Sequence, residues 1–264
     1  MRFFLLPAGG SRPAPTPPWA MVKATAEDTE GRFTLLEVNG EVDLPGRVQE
    51  VADEFVYVID GAVEVDVDRT THHLTAGMCV MVPRGVPHAI RTAGAPVHAL
   101  HLLSHGAAGV GGKVDRGYVL ARGEVRPGRI RLPPAFGVKA RSSDTGGLFS
   151  LLEVTVAQPI PRHTHHVADE CIYVLDGALE IDFGGTTYTA RKGQFVLLPH
   201  GAPHAIRPGS APPPRVVQIS TPGGWELVVE ALIEHRTEVS KGGRFNPTAL
   251  NRYTTPHHVT YDTP

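Results

Sequence analysis

Residues 163–170 read HTHHVADE, and 116 positions earlier residues 47–54 read RVQEVADE. Val-Ala-Asp-Glu is written twice, but the histidines stand only in the later copy of the frame. Working outward at the same offset and without a gap, residues 22–91 match residues 138–207 at 34 of 70 positions. Unrelated chains of average composition would agree at about 4 to 5. A duplication of that extent means two copies of one domain in tandem.

Within each copy the apolar runs are short and β-rich: FTLLEV, EFVYVIDG, AVEVDV and CVMVP in the first, FSLLEV, CIYVLDG, ALEIDF and FVLLP in the second. AVEVDV and ALEIDF alternate with a period of two, and glycine-containing turns separate the runs. The expectation is an all-β sandwich or barrel in each half. Pro- and Gly-rich segments punctuate the chain at 11–18, 105–117 and 207–214, and the middle one reads as the linker. The division expected is an N-terminal arm (1–21), a first barrel (22–104), a linker (105–117), a second barrel (118–220) and a C-terminal helix and tail (221–264). Trp225, Val228, Val229, Leu232 and Ile233 follow helical spacing after a Thr-Pro start, and Asn246-Pro247 opens a second short helix; both are expected to pack on the outside of a β domain.

The chain of 264 residues is long enough for a substantial core, and its formal net charge of -2 gives no basic field for a nucleic-acid backbone. Cys79 and Cys171 fall at different places in the repeated frame, which argues against a disulfide between them. The opening MRFFLLPAGG is too short an apolar run for a secretory leader or a membrane span. A soluble, cytoplasmic protein is expected.

His163 and His165 are two apart, so on a strand both rings leave one face. Glu170 follows at an odd step, which requires the chain to turn through HHVAD before the carboxylate can join them. Gly193, Pro199 and Gly201 then permit the tight turn that returns His204. Three imidazoles and a carboxylate suit a divalent first-row metal, with Fe, Mn, Co, Ni and Zn all compatible, and four protein ligands on a six-coordinate ion leave positions open. In the first copy His163 and His165 become Arg47 and Gln49, while Glu54 and His88 remain. A guanidinium cannot ligate a cation, so the first copy is expected to hold no metal, with Arg47 paired to Glu54 and His88 hydrogen-bonded to the same carboxylate. His166 and His200 should point away from the ligands, Cys171 is read as a buried thiol, and the pairs His72/His73, His98/His101 and His257/His258 receive no role. GVGGKV lacks the glycine and hydroxyl of a phosphate loop.

PRHTHHVADECIYVLDG and GQFVLLPHGAPH, read as H-x-H-x4-E-x6-G and G-x5-P-x-G-x2-H, resemble the two signature motifs of the cupin superfamily. With two copies the chain resembles a bicupin, of the kind that includes quercetinase-type dioxygenases. The resemblance implies two tandem jelly-roll barrels, with one divalent metal held by His163, His165, Glu170 and His204 in the second. It further implies a metal-dependent dioxygenase acting on a small hydroxylated substrate, aromatic or polyketide-like, with Glu170 as ligand and general base. Two other readings stay open: a non-redox metal-dependent isomerase, cyclase, hydrolase or decarboxylase, and a small-ligand-binding cupin without catalysis. Expected partners are the substrate and dioxygen, with no nucleic acid or membrane, in a monomer or homodimer.

Overall fold

The computed structural model describes residues 2–105, 117–242 and 244–263; nearly all of the expected linker lies outside them. The chain divides into two compact units, residues 10–125 with 143–148, and residues 1–9 with 126–142 and 149–264.

In the earlier unit a six-stranded antiparallel sheet runs in the order Tyr118–Leu120, Cys79–Val82, Ala52–Asp60, Val97–His105, Phe33–Gly40, Ala20–Ala24. A four-stranded sheet, Asp43–Val48, Pro87–Thr92, Ala62–Val67, Thr70–Thr75, accompanies it. The alternation read in AVEVDV is that of a strand with one face in the core: Val63 and Val65 are buried beside Val56, Val58, Leu74, Val80 and Ile90. The later unit repeats the plan. Its six-stranded sheet is Phe4–Leu6, Phe195–Leu198, Asp169–Asp176, Arg215–Thr221, Ser150–Thr155, Phe136–Ala140, and its second sheet gains a fifth strand: Thr186–Arg191, Ala178–Phe183, His204–Pro208, Ile160–His165, Val259–Tyr261.

The shared Asp-Gly-Ala has a steric reason. Gly61 and Gly177 both sit at φ +74°, and a Cβ on Gly61 would lie 2.5 Å from the Pro96 carbonyl oxygen, so only glycine fits the bend between these two strands.

The boundaries differ from the expected ones at both arms. Tyr118–Leu120 does not open the second barrel; it pairs antiparallel with Cys79–Met81 of the first. The first residues of the chain, expected as an N-terminal arm ahead of the first barrel, supply Phe4–Leu6 to the second barrel by pairing with Phe195–Leu197, and Phe3 stacks on Phe183 with ring centroids 4.4 Å apart. Each arm satisfies a strand edge that would otherwise be bare.

Among the described residues the α-helices beyond the Arg215–Thr221 strand are α1 (Trp225–Glu234), α2 (Arg236–Val239) and α3 (Pro247–Thr254). α1 starts later than the Thr-Pro reading, because Thr221 still belongs to a strand and Gly224 is the N-cap. The start of α3 is as expected, with Asn246 Oδ1 accepting from Ala249 N–H and Pro247 in the first turn. The chain beyond α3 is more than an outer tail. Val259–Tyr261 lies antiparallel to the strand that carries His163 and His165. Among the described residues no helix is long and apolar enough to cross a membrane.

Candidate metal centre

Strand geometry assembles the centre from both sheets of the later unit. Ile160–His165 places His163 and His165 on one face, and His163 is in register with His204 on the neighbouring strand. The turn at 166–168 carries the chain across to the other sheet, where Glu170 pairs with Leu198 and Ser220. Three imidazoles from one sheet therefore face a carboxylate from the other, and the four side chains are buried with donor atoms all within 4.8 Å of one another.

The repeated Val-Ala-Asp-Glu is explained by the residue beside the glutamate. Asp169 Oδ1 accepts from the His200 backbone N–H at 2.8 Å and lies 2.7 Å from His200 Nδ1, fixing the turn that delivers His204. In the earlier unit Asp53 does the same through Arg84, accepting its backbone N–H at 2.8 Å and its guanidinium at 2.9 Å. The aspartate is structural in both copies, and the glutamate points inward in both.

Hydrogen bonds set the orientation of the imidazoles. His163 Nδ1 donates to the Pro161 carbonyl (2.9 Å) and His204 Nδ1 to the Ala202 carbonyl (2.9 Å), which turns both Nε2 atoms inward. His163 Nε2 and His165 Nε2 are 3.1 Å apart, and His204 Nε2 lies 3.1 Å from Glu170 Oε2. His165 Nε2 is 3.6 Å from the same oxygen. Burial holds His165 down to about 4 and His163 well below the ordinary imidazole value, with His204 and His165 adding to the effect on His163. Burial alone would raise Glu170, but the hydrogen bond from His204 and the histidine charges outweigh it and lower the carboxyl to about 2.

This donor set fits a divalent cation. With Nδ1–H committed to a carbonyl, a neutral His163 turns its Nε2 lone pair to the interior of the cluster, where it can ligate a cation or accept from His165 Nε2. Two donors at about 2.1 Å from one ion and at right angles to each other lie about 3 Å apart, close to the 3.1 Å observed for the two contacts. A neutral His163 and His165 beside an ionised Glu170 are protonation states that metal binding requires.

Sequence reasoning located these four residues and missed what surrounds them. The Gln218 carboxamide donates from Nε2 to Glu170 Oε1 at 3.2 Å. Trp225, read as packing, has its ring centroid 5.0 Å from that of His165. Tyr261 stacks on His163 at 5.2 Å, and burial followed by the Glu170 charge holds its phenol above the ordinary range. His166 and His200 are exposed, as expected, and Cys79 and Cys171 are buried and not joined in a disulfide.

In the earlier unit Arg47 occupies the register position of His163, opposite His88. Arg47 Nη2 donates to Glu54 Oε2 at 2.7 Å, and His88 Nε2 lies 2.9 Å from Glu54 Oε1. The surprise is His101, which was given no role: its Nε2 lies 2.7 Å from Glu54 Oε2. His101 is in register with Val56 as Gln218 is with Ile172, so the two residues fill the same slot. Arginine and imidazoles thus converge on the first carboxylate.

Two units of this β architecture, with the histidine-glutamate cluster inside the second, define a tandem cupin. The cupin domain family matches residues 30–103 and 151–217, and the chain belongs to that family. It is 38% identical over 72 residues to quercetin 2,3-dioxygenase of Bacillus subtilis, a match covering 26% of this chain and 21% of that protein. It is 32% identical over 63 residues to polyketide synthase CurC of Streptomyces cyaneus, covering 24% of this chain and 41% of that one. The matched stretches thus span less than half the length of either relative. Among solved structures, protein Ylba of E. coli aligns over 83% of this chain and 90% of its own with a TM-score of 0.64 at 16% identity, a likeness of fold.

Proposed function

We propose that the protein is a metal-dependent oxidoreductase, a dioxygenase, acting at the later barrel on a small hydroxylated substrate of aromatic or polyketide-like character. The observation that carries the proposal is the buried convergence of His163, His165, His204 and Glu170, four ligands that leave positions open on a six-coordinate ion. The names of the two relatives, a quercetin dioxygenase and a polyketide synthase component, support the substrate class.

The ion, one of Fe, Mn, Co, Ni or Zn, would supply Lewis acidity and, if redox-active, electrons for reaction with dioxygen. The protein's own groups do the rest. The three imidazoles bind through Nε2, oriented by the Pro161 and Ala202 carbonyls for His163 and His204. Glu170 supplies the negative charge of the donor set and, once swung off the ion, would be the group to which a substrate hydroxyl passes its proton. Trp225 and Tyr261 cover the histidines and keep bulk water from them.

Elemental analysis of protein purified without added metal should give roughly one ion per chain, and His163→Ala should lose it. Oxygen-electrode assays with hydroxylated aromatics then test the chemistry. Turnover that proceeds unchanged under anaerobic conditions rejects the dioxygenase and leaves the ion as a Lewis acid.

A further inference from the structure

Gln218 is an amide in an otherwise apolar row. It lies in register with Ile172 on one side and Leu152 on the other, both members of the buried apolar core of this unit. The residue is 3% exposed, and one end of its carboxamide is accounted for by the hydrogen bond to Glu170 Oε1. The other end is not: Gln218 Oε1 is buried without a hydrogen-bond partner. Burying an unpaired carbonyl oxygen costs roughly 1–3 kcal/mol, so the position invites a reason. Turning the amide over offers none, because Oε1 would then face an ionised carboxylate oxygen.

The earlier unit provides an internal comparison. His101 fills the same slot and reaches its own glutamate through Nε2 at 2.7 Å, yet no atom of His101 is left buried and unpaired. The donor to the glutamate is therefore common to both barrels. The spare acceptor belongs to the barrel with the histidines.

We propose that Gln218 is a positioning residue of the metal centre with two tasks. Its Nε2 holds Glu170 Oε1, leaving Oε2 to the ion, and its Oε1 receives the hydrogen of a water or substrate hydroxyl seated at a coordination position the four ligands leave free. This rests on the reading of the cluster as a metal centre and extends it to ligand choice. An occupant carrying a donor hydrogen is favoured over an anion that can only accept.

The test uses the full chain loaded with Co(II), with azide as an acceptor-only probe, in the parent and in Gln218→Leu and Gln218→His. The leucine variant loses both tasks: Co(II) affinity falls roughly tenfold, the low end of the effect of removing a partner of a metal ligand, and azide, followed by the visible Co(II) spectrum, binds roughly tenfold tighter. The histidine variant keeps the donor to Glu170, as His101 does for Glu54, so Co(II) affinity stays within roughly threefold of the parent while azide still tightens. Should the leucine variant fail to fold, the histidine variant carries the same azide comparison. Equal azide affinity in the folded forms overturns this role for Gln218 and leaves the metal centre standing. A parent chain that takes up no Co(II) overturns both.

Discussion

The earlier barrel should become a second metal site if its two missing ligands are restored. Arg47→His with Gln49→His gives it the histidine set of the later barrel on a backbone already in the same register: Arg47 pairs with His88 as His163 pairs with His204, and Glu54 pairs with Val82 as Glu170 pairs with Leu198. The Gly85 N–H donates to the Gln49 carbonyl at 2.8 Å, as Gly201 N–H does to His165 at 2.7 Å. Without metal the change is destabilising. Losing one partner of a buried ion pair costs about 3–5 kcal/mol; Arg47 is 23% exposed and Glu54 keeps two imidazole contacts, so about 1–3 kcal/mol is expected here. With free metal at about 100 times the Kd, binding returns about 2.7 kcal/mol, which for a chain of this length raises a melting transition by about 5–10 °C. Elemental analysis after stripping and reloading should give about two ions per chain against one in the parent, and calorimetry with and without chelator should show the shift. Adding His101→Gln makes the polar set match that of the later barrel. A triple variant that folds, melts cooperatively and still holds a single ion at saturating metal would refute the idea that ligand identity alone separates the barrels.

Three further outcomes follow from the same geometry. Deleting residues 2–9 removes the edge strand Phe4–Leu6 and the Phe3 ring from the later unit, and should destabilise that unit by about 3 kcal/mol or more, read as faster hydrogen exchange at 195–198 with exchange at 79–82 unchanged. Glu54 is pushed up by burial but held below its ordinary 4.5 by the His101 and His88 hydrogen bonds and the Arg47 charge; its folded value is depressed, so its contribution is complete above about pH 4.5 and is lost as the pH falls. Glu54→Gln should flatten the acid limb of stability measured by denaturant titration. Asn251 clamps the last strand, donating to the Tyr261 carbonyl at 2.9 Å and accepting its N–H at 2.6 Å; Asn251→Ala should cost roughly 1–3 kcal/mol locally, with exchange at 259–261 rising and the Tyr261 contact on His163 loosening.

The duplication, the β architecture and the ligand cluster were legible because each leaves a periodic or repeated trace: offset 116, alternation by two, and donors at strand spacing. The Arg47–Glu54 pairing was legible too, since a charge placed where a ligand should be must find a partner. What escaped lies outside the gap-free repeat. His101 and Gln218 are 117 apart, because one extra residue enters the later copy between strands that themselves align. The arm strands Phe4–Leu6 and Tyr118–Leu120 are 114 apart and three residues long, too short to show a period. Tyr261 and Trp225 have no counterpart in the gap-free repeat, and their place beside the histidines depends on a strand pairing that local pattern does not encode.

The crossing of the two arms has a practical meaning for anyone dividing the molecule. A fragment starting at residue 117 carries every candidate ligand but also a segment that belongs to the other half, and it leaves 195–198 without its outer neighbour. Such a half would be expected to borrow the missing strand from a sister fragment or to aggregate through the bare edge. The strands at 4–6 and 118–120 thus each complete a sheet of the unit other than the one beside them in the expected division, and repetition in the sequence does not carry over to independence in the fold.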